Sequence, residues 1–362
     1  MKKHNGRNAI VITGVVEGSQ QEICRNVIMQ FCSCVENAVV IDFYKGNKLK
    51  NIVGDNCDFV KYNFCKDNWA DEEDSINRFL EKSGIESLFV FKVRIITGLK
   101  INNCTIAKRF ISKYKGDKHV YRSYQTTKKI CERLLFVNCC YNNNIKLFQF
   151  VIDPIEHDFS FIEKNAVKRV YILAKDKMKY CPMYELELSN TAYSSEKLYD
   201  MFFICTCFGD LREGLFETFS NVQIENDHML FRLVNSDNSR RDRISQTEYY
   251  ENISKSKYTL IVQSYDSTTF SIIRFFEAVC RDCVPLIWYE VCLDDLKNTF
   301  EDIYDLVLKY NLIVSSKEEV IDRVKNYEND IQFIDEVKSS KSFRKITDKK
   351  KVAKFYKKLL SK

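Results

Sequence analysis

The chain is poor in the residues that break regular structure: of its 362 residues only three are proline and ten are glycine. That scarcity excludes a collagen-like repeat, a Pro/Gly-rich linker and a low-complexity tail. Histidine is scarce too. His4, His119, His157 and His228 are the whole supply, so a mechanism or metal site built on imidazoles has thin support. No apolar run approaches the ~18–20 residues of a membrane span. The opening MKKHNGRNAIVITG breaks its apolar stretch at Gly14, too soon for the core of a signal peptide, and reads as a first buried strand. There is no GxGxxG after that strand, no GxxxxGKS/T, no HExxH and no GxSxG. The common dinucleotide, P-loop, zincin and hydrolase readings therefore lack their motifs.

Cysteine, by contrast, is plentiful, with fifteen residues lying mostly in apolar segments such as MQFCSC, LLFVNCC and FFICTCF. There a thiol behaves as a small hydrophobe. An odd, scattered set fits a reducing compartment, and the expected location is the cytoplasm, that of a host cell if the chain is viral. Cys280 and Cys283 form a CxxC with no second CxxC or His pair beside it, which argues against zinc. Basic residues outnumber acidic ones by 56 to 50, a net charge of +6, which permits a polyanionic partner without demanding one. The basic clusters Lys45–Lys50, Arg240–Arg243 and Lys349–Lys358 also read as solvated faces.

Short β-rich runs alternate with helical patterns along the chain. NAIVIT, NAVVIDF, DFVKYNF, SLFVFKV, HVYRSY, RLLFV and IKLFQFVI come first, and KRVYILAK continues the series. After Pro182 a second series follows: MFFICTCF, VQIEND with HMLFRLV, YTLIVQS, CVPLIWYE and NLIVSS. The pattern predicts an α/β fold of two domains, each a mostly parallel sheet wrapped by helices. The expected domains are 1–182 and 183–342, with a terminal helix over 343–362 completing the first. That helix places Val352, Phe355, Tyr356, Leu359 and Leu360 on one face, which needs something to pack on.

The most informative stretch is YTLIVQSYDSTTFSIIRFFEAVCRDCVPLIWYE, Tyr258 to Glu290. It reads as strand, hydroxyl-rich loop, helix and strand. The loop leads into a helix N-terminus, where unpaired N–H groups and the helix dipole favour an anion such as phosphate. Within the helix, Arg274 and Glu277 are three apart and share a side. A guanidinium fork suits phosphate oxygens, and a carboxylate can accept from both hydroxyls of a ribose. The same spacing also describes a surface ion pair. Position at the carboxyl edge of an α/β sheet favours the nucleotide diphosphate site.

LIVQSYDSTTFSIIRFFEAVCRDCVPLI, the later SSKEEVIDRVKN and the basic terminal helix, in that order and at that spacing, resemble the DNA β-glucosyltransferase family of T-even bacteriophages. Fainter correspondences run through the opening strand, SQQE at Ser19–Glu22 and FISKYKGDKHVY, so the resemblance spans nearly the whole chain. It implies a GT-B fold, two Rossmann-like domains facing each other across a deep cleft. It also implies a UDP-sugar donor, UDP-glucose first, on the C-terminal domain, and double-stranded DNA with hydroxymethylated bases as acceptor on the other. By the same resemblance, Arg274 and Glu277 match residues that hold the diphosphate and the ribose. Arg243 and Ile244 fall where the uracil is met, Arg212 and Glu213 border the phosphates, Thr206 touches them, and Glu22 lies near the transferred sugar as the catalytic candidate. A monomer with no membrane partner is expected, and Mg²⁺ beside the diphosphate is compatible, although no DxD marks it.

The chain departs from the family at two places. Phe208 stands where the family has a second phosphate-loop arginine, and Gln125, which cannot take a proton, stands where it has its catalytic aspartate. Either the match is displaced there, another carboxylate such as Glu22 or Asp153 serves, or the chain has lost that chemistry. Three functions follow: an inverting sugar transfer to DNA, a catalytically silent GT-B protein that binds nucleotide or nucleic acid, and a sugar transferase with a non-DNA acceptor.

Overall fold

The computed structural model describes residues 6–12, 20–43, 48–54, 57–64, 69–91, 132–133, 135–151, 167–171, 196–205, 210–226, 228–235, 244, 246–262 and 272–361. The chain divides into two compact units, one built mainly from Met1–Ile172 with Val352–Lys362, the other mainly from Pro182–Lys351.

In the first unit the runs AIVI, AVVI and LFVF become strands because β-branched and aromatic residues fit a sheet that is covered on both sides. The strands are β1 (Arg7–Ile12), β2 (Ala38–Asp42), β3 (Asp58–Lys61), β4 (Ile85–Phe91), β5 (Lys146–Val151) and β6 (Val167–Tyr171). They form one sheet in the order β3-β2-β1-β4-β5-β6, parallel throughout. The chain order reverses between β1 and β4. Helices α1 (Gln20–Cys34), α2 (Lys48–Val53) and α3 (Trp69–Ser83) belong to the crossovers. One face of the sheet carries Ala9, Val11, Leu88, Val90 and Leu147, packed with Ile76 and Leu80 of α3 and with Phe136, Cys139 and Cys140. On the other, Phe89 stacks on Phe148 with centroids 4.5 Å apart and meets Phe31 of α1 at 4.8 Å.

The second unit repeats the plan with different wiring. Its strands β7 (Tyr199–Cys205), β8 (Phe231–Asn235), β9 (Ser256–Ile261), β10 (Val284–Trp288) and β11 (Ile313–Val314) lie in the order β11-β10-β9-β7-β8, again parallel. Here the reversal lies between β7 and β9. Successive residues of β7 point to opposite faces. Phe203 meets Phe219 of α4 (Asp210–Glu225), while Phe202 clusters with Ile253 of α5 (Gln246–Ser254) and Ala278 of α6 (Ile272–Val279). Then come α7 (Asp294–Thr299), α8 (Glu301–Lys309), α9 (Lys317–Lys325), α10 (Tyr327–Asp330), α11 (Gln332–Ser339) and α12 (Lys341–Thr347). Phe343 of α12 packs against Phe276 of α6, so this helix stays with the second unit.

The handover back to the first unit falls at Val352, later than the Phe343 expected from the sequence. The chain breaks at Asp348, whose carboxylate accepts the backbone N–H of Lys350 at 2.8 Å and starts α13 (Lys349–Leu360). Tyr356 of α13 is fully buried and touches the rings of Phe31, Phe89 and Phe150 at 6.0, 5.9 and 6.4 Å. Its hydroxyl accepts from Gln30, and Lys146 donates to the Leu360 carbonyl.

Two segments read as strands are helical. In RLLFV, residues 135–137 lie in a helical stretch, and VQIE is the last turn of α4. A short apolar run looks the same in a strand and a buried helix, and Leu215, Phe219 and Val222 form the buried stripe that carries α4 past the expected strand start. HVYRSY lies outside the described residues. Replacing Tyr356 by alanine removes the ring that sits against three others and is expected to cost about 3–5 kcal/mol of stability, read from the urea unfolding midpoint.

Candidate functional site

In an open α/β sheet, ligands bind beyond the carboxyl ends of the strands where the strand order reverses. In the second unit that place is the edge beyond β7 and β9. Helices α4 and α6 are the next elements after those strands and cover opposite faces of the sheet. Their first turns therefore come to the same edge, with N–H groups that have no partner within the helix and the positive ends of two dipoles. Arg212 and Glu213 lie in the first turn of α4 and Arg274 in the first turn of α6.

Below Arg274 the side chains are tightly organised. Arg274 is exposed, whereas Glu277 is only 5% exposed. The i,i+3 spacing puts them on one side of α6, and the structure adds a difference in depth. The hydroxyls of Tyr249 and Tyr250, on α5, donate to Oε2 and Oε1 of Glu277 at 3.2 and 3.1 Å. Arg281, also buried, lays its guanidinium over the Tyr250 ring at 3.5 Å and donates through Nη1 to the Glu277 main-chain carbonyl at 3.1 Å. Burial holds the Glu277 carboxyl above its ordinary value, and the charges of Arg281 and Arg274 and the two phenols act in the opposite direction. Tyr249 is pushed up, first by burial and then by the charge of Glu277, so its phenol stays a proton donor. The arrangement can hold a carboxylate rigidly beneath an exposed cation.

Ile244, between β8 and α5, packs on the cluster of Phe202, Val234, Ile253, Ala278 and Cys283. Glu22 lies in the first turn of α1, which follows β1 at the strand-order reversal of the first sheet. For Glu22, Arg212 and Glu213 the described placement is that of the backbone. Thr206, Arg243, Gln125, Asp153, Phe208 and the whole QSYDSTTFS loop, 263–271, lie outside the described residues. Cys280 and Cys283 are both buried, and burial pushes the Cys283 thiol up to about 12. Among the described residues no group of three His, Cys, Asp or Glu side chains could hold a metal ion, and no helix is long and apolar enough to cross a membrane.

Sequence reasoning passed over Tyr249, Tyr250 and Arg281. Their signal was faint: adjacent tyrosines in a helix ordinarily read as core, and Arg281 comes just after a helix where solvent is the usual guess. A plainer signal was missed in the first unit. Gln149 interrupts the apolar run IKLFQFVI on β5, is 1% exposed, and among the described residues has neither amide atom hydrogen-bonded.

No family model matches the sequence, and no curated protein matches it. Solved structures do match in shape. A Listeria monocytogenes protein assigned as a UDP-N-acetylglucosamine 2-epimerase aligns over 98% of this chain and 96% of its own, at 8% identity and a TM-score of 0.51. A glycosyltransferase of Rickettsia africae aligns over 99% of both chains, at 9% identity and a TM-score of 0.50. A mutant O-GlcNAc transferase of Thermobaculum terrenum aligns over 98% of this chain and 67% of its own, at 8% identity and a TM-score of 0.50. The likeness is one of fold: the chain has the GT-B type of α/β architecture, with two Rossmann-like domains.

Because the folded state holds the Glu277 proton more tightly than the unfolded chain, the stability this group contributes is full below the ordinary carboxylate range. It is lost as pH rises through the raised folded value. Glu277→Gln removes the titration. The wild-type unfolding free energy, measured against that variant between pH 4 and 8, is expected to fall with rising pH and then level off.

Proposed function

We propose that the protein is a glycosyltransferase that moves glucose or a related sugar from a UDP-sugar to a hydroxymethylated base in duplex DNA, with inversion at the sugar. The donor half is supported by the first turns of α4 and α6, which follow the two strands where the order reverses and so carry Arg212, Glu213 and Arg274 to the carboxyl edge of the sheet. Arg274 meets the diphosphate, Glu277 the ribose, and Ile244 with Arg243 the uracil. Thr206, Arg212 and Glu213 border the phosphates. The names of the structural neighbours, sugar transferases and an enzyme of a UDP-sugar, support this choice of donor.

In the transfer, the acceptor hydroxyl oxygen forms a bond to the anomeric carbon as the bond from that carbon to the diphosphate oxygen breaks. UDP leaves with the electron pair, and the hydroxyl proton passes to a carboxylate. Arg274 and the helix N-termini stabilise charge growing on the leaving diphosphate. Glu22, at the strand-order reversal of the other sheet, is the candidate for the proton, since Gln125 cannot accept one.

The DNA acceptor rests on the family resemblance and on charge. On α13, Lys350, Lys351, Lys354, Lys357 and Lys358 are all exposed, opposite the buried Val352, Tyr356 and Leu359. A face of one sign suits a phosphate backbone, and binding through it weakens as salt rises. A target base must still be extruded from the duplex to reach a sugar donor.

The reading is tested by incubating the protein with UDP-glucose and hydroxymethylated duplex and measuring UDP release, with EDTA added in parallel to read dependence on Mg²⁺. Release that requires the modified duplex is expected, and none on any hydroxymethylated DNA sinks the transfer. Thermal stabilisation by UDP without turnover would instead favour the silent reading that Gln125 suggests. Turnover on a protein or small molecule, with no salt-sensitive shift of duplex in a gel, would favour a non-DNA acceptor. Arg274→Ala is expected to weaken UDP binding by about 1.5–3 kcal/mol, roughly 10- to 150-fold in Kd, the worth of a lost charged hydrogen bond. Calorimetry reads it directly.

A further inference from the structure

Glu277 is a costly residue to keep where it stands. An ionised carboxylate taken out of water must be paid for by donors, and a glutamine of the same shape would carry no charge. Among the described residues, the donors that reach this carboxylate are the phenols of Tyr249 and Tyr250, one to each oxygen. A carboxylate offers about four acceptor positions, so each oxygen keeps one for something else.

The two phenols are themselves immobilised. Tyr249 packs on Phe202 with centroids 5.8 Å apart and on Tyr250 at 5.6 Å. The guanidinium of Arg281 lies 3.5 Å from the centroid of the Tyr250 ring and is tied to the Glu277 carbonyl. A cation over a phenol ring draws electron density from it and makes its hydroxyl a better donor. The carboxylate is therefore held at both oxygens by hydroxyls of one helix, α5. A ligand with a single hydroxyl would use one of the open acceptor positions. A ligand with two adjacent hydroxyls would use both.

We propose that Tyr249 and Tyr250 are positioning residues that aim the free acceptor positions of Glu277 at a vicinal diol, so that the site selects a ribonucleotide over its 2′-deoxy counterpart. This rests on the reading of the second unit as a UDP-sugar site and adds its discrimination. For a protein that also handles DNA, such a filter would keep deoxynucleotides out of the donor site.

The experiment is calorimetric titration of the wild type, Tyr249→Phe, Tyr250→Phe and Glu277→Gln with UDP and with 2′-deoxy-UDP, alongside thermal unfolding of each protein. Wild type is expected to prefer UDP by about 10-fold or more, the size of one charge-assisted hydrogen bond. Each phenylalanine variant is expected to reduce that ratio while its binding of 2′-deoxy-UDP changes little, and Glu277→Gln is expected to reduce it furthest. A purely structural role for the tyrosines would weaken both nucleotides equally and leave the ratio intact, which overturns the proposal. Equal affinity of the wild type for the two nucleotides overturns it as well, while leaving the UDP site standing. Failure of the wild type to bind UDP at all removes the underlying site together with its discrimination.

Discussion

Everything in this molecule follows from sheets whose strands all run one way and are covered on both faces. A parallel strand cannot return by a tight turn, so each connection must cross over the sheet, usually as a helix, and the hand of that crossover is nearly always right. Each helix then starts at the carboxyl edge, and its unpaired N–H groups gather there with those of its neighbours. In the second unit the order β11-β10-β9-β7-β8 sends the helices after β7 and β9 to opposite faces and opens the edge between them. In the first unit, in the order β3-β2-β1-β4-β5-β6, the corresponding reversal lies between β1 and β4. An edge lined with helix N-termini is thus a consequence of topology before any side chain is chosen.

Side-chain chemistry is layered on that edge by depth. At the surface, the exposed Arg274 can meet a ligand while still solvated. One turn further along α6, Glu277 is buried and held by Tyr249 and Tyr250. The exposed cation costs little to keep charged, whereas the buried acid is expensive and takes its direction from the two phenols. The division also explains why the burial of Glu277 and the charges of Arg274 and Arg281 act on its proton in opposite senses.

Much of the architecture could be read directly from the chain. The apolar runs around Ile10, Val40, Phe89, Phe148, Phe202, Leu260 and Ile287 are strands because a two-faced buried strand needs an unbroken run of such residues. RLLFV and VQIE were misjudged, since short apolar runs carry no period and only the neighbouring packing of Phe136 and Phe219 decides their state. The break at Asp348 was equally hidden. A continuous amphipathic pattern crosses it, and only the carboxylate turned back onto the Lys350 N–H shows where one helix ends and the next begins. Gln149 stands out as the single amide in the run LFQFV, but that it finds no hydrogen-bond partner among the described residues is a property of its surroundings.

The amino-acid sequence by itself determined the α/β class, the series of strands, and the spacing of Arg274 and Glu277 on one side of a helix, because these are local matters of periodicity and residue type. The strand order, the joining of the terminal helix to the first sheet through Tyr356, and the meeting of Tyr249, Tyr250 and Arg281 with Glu277 were decided only in three dimensions. Tyr249 and Glu277 belong to different helices separated by a whole strand, and no local pattern encodes which hydroxyl will reach a carboxylate across a packed interface. That choice is made by the sheet, which fixes how α5 and α6 lie side by side.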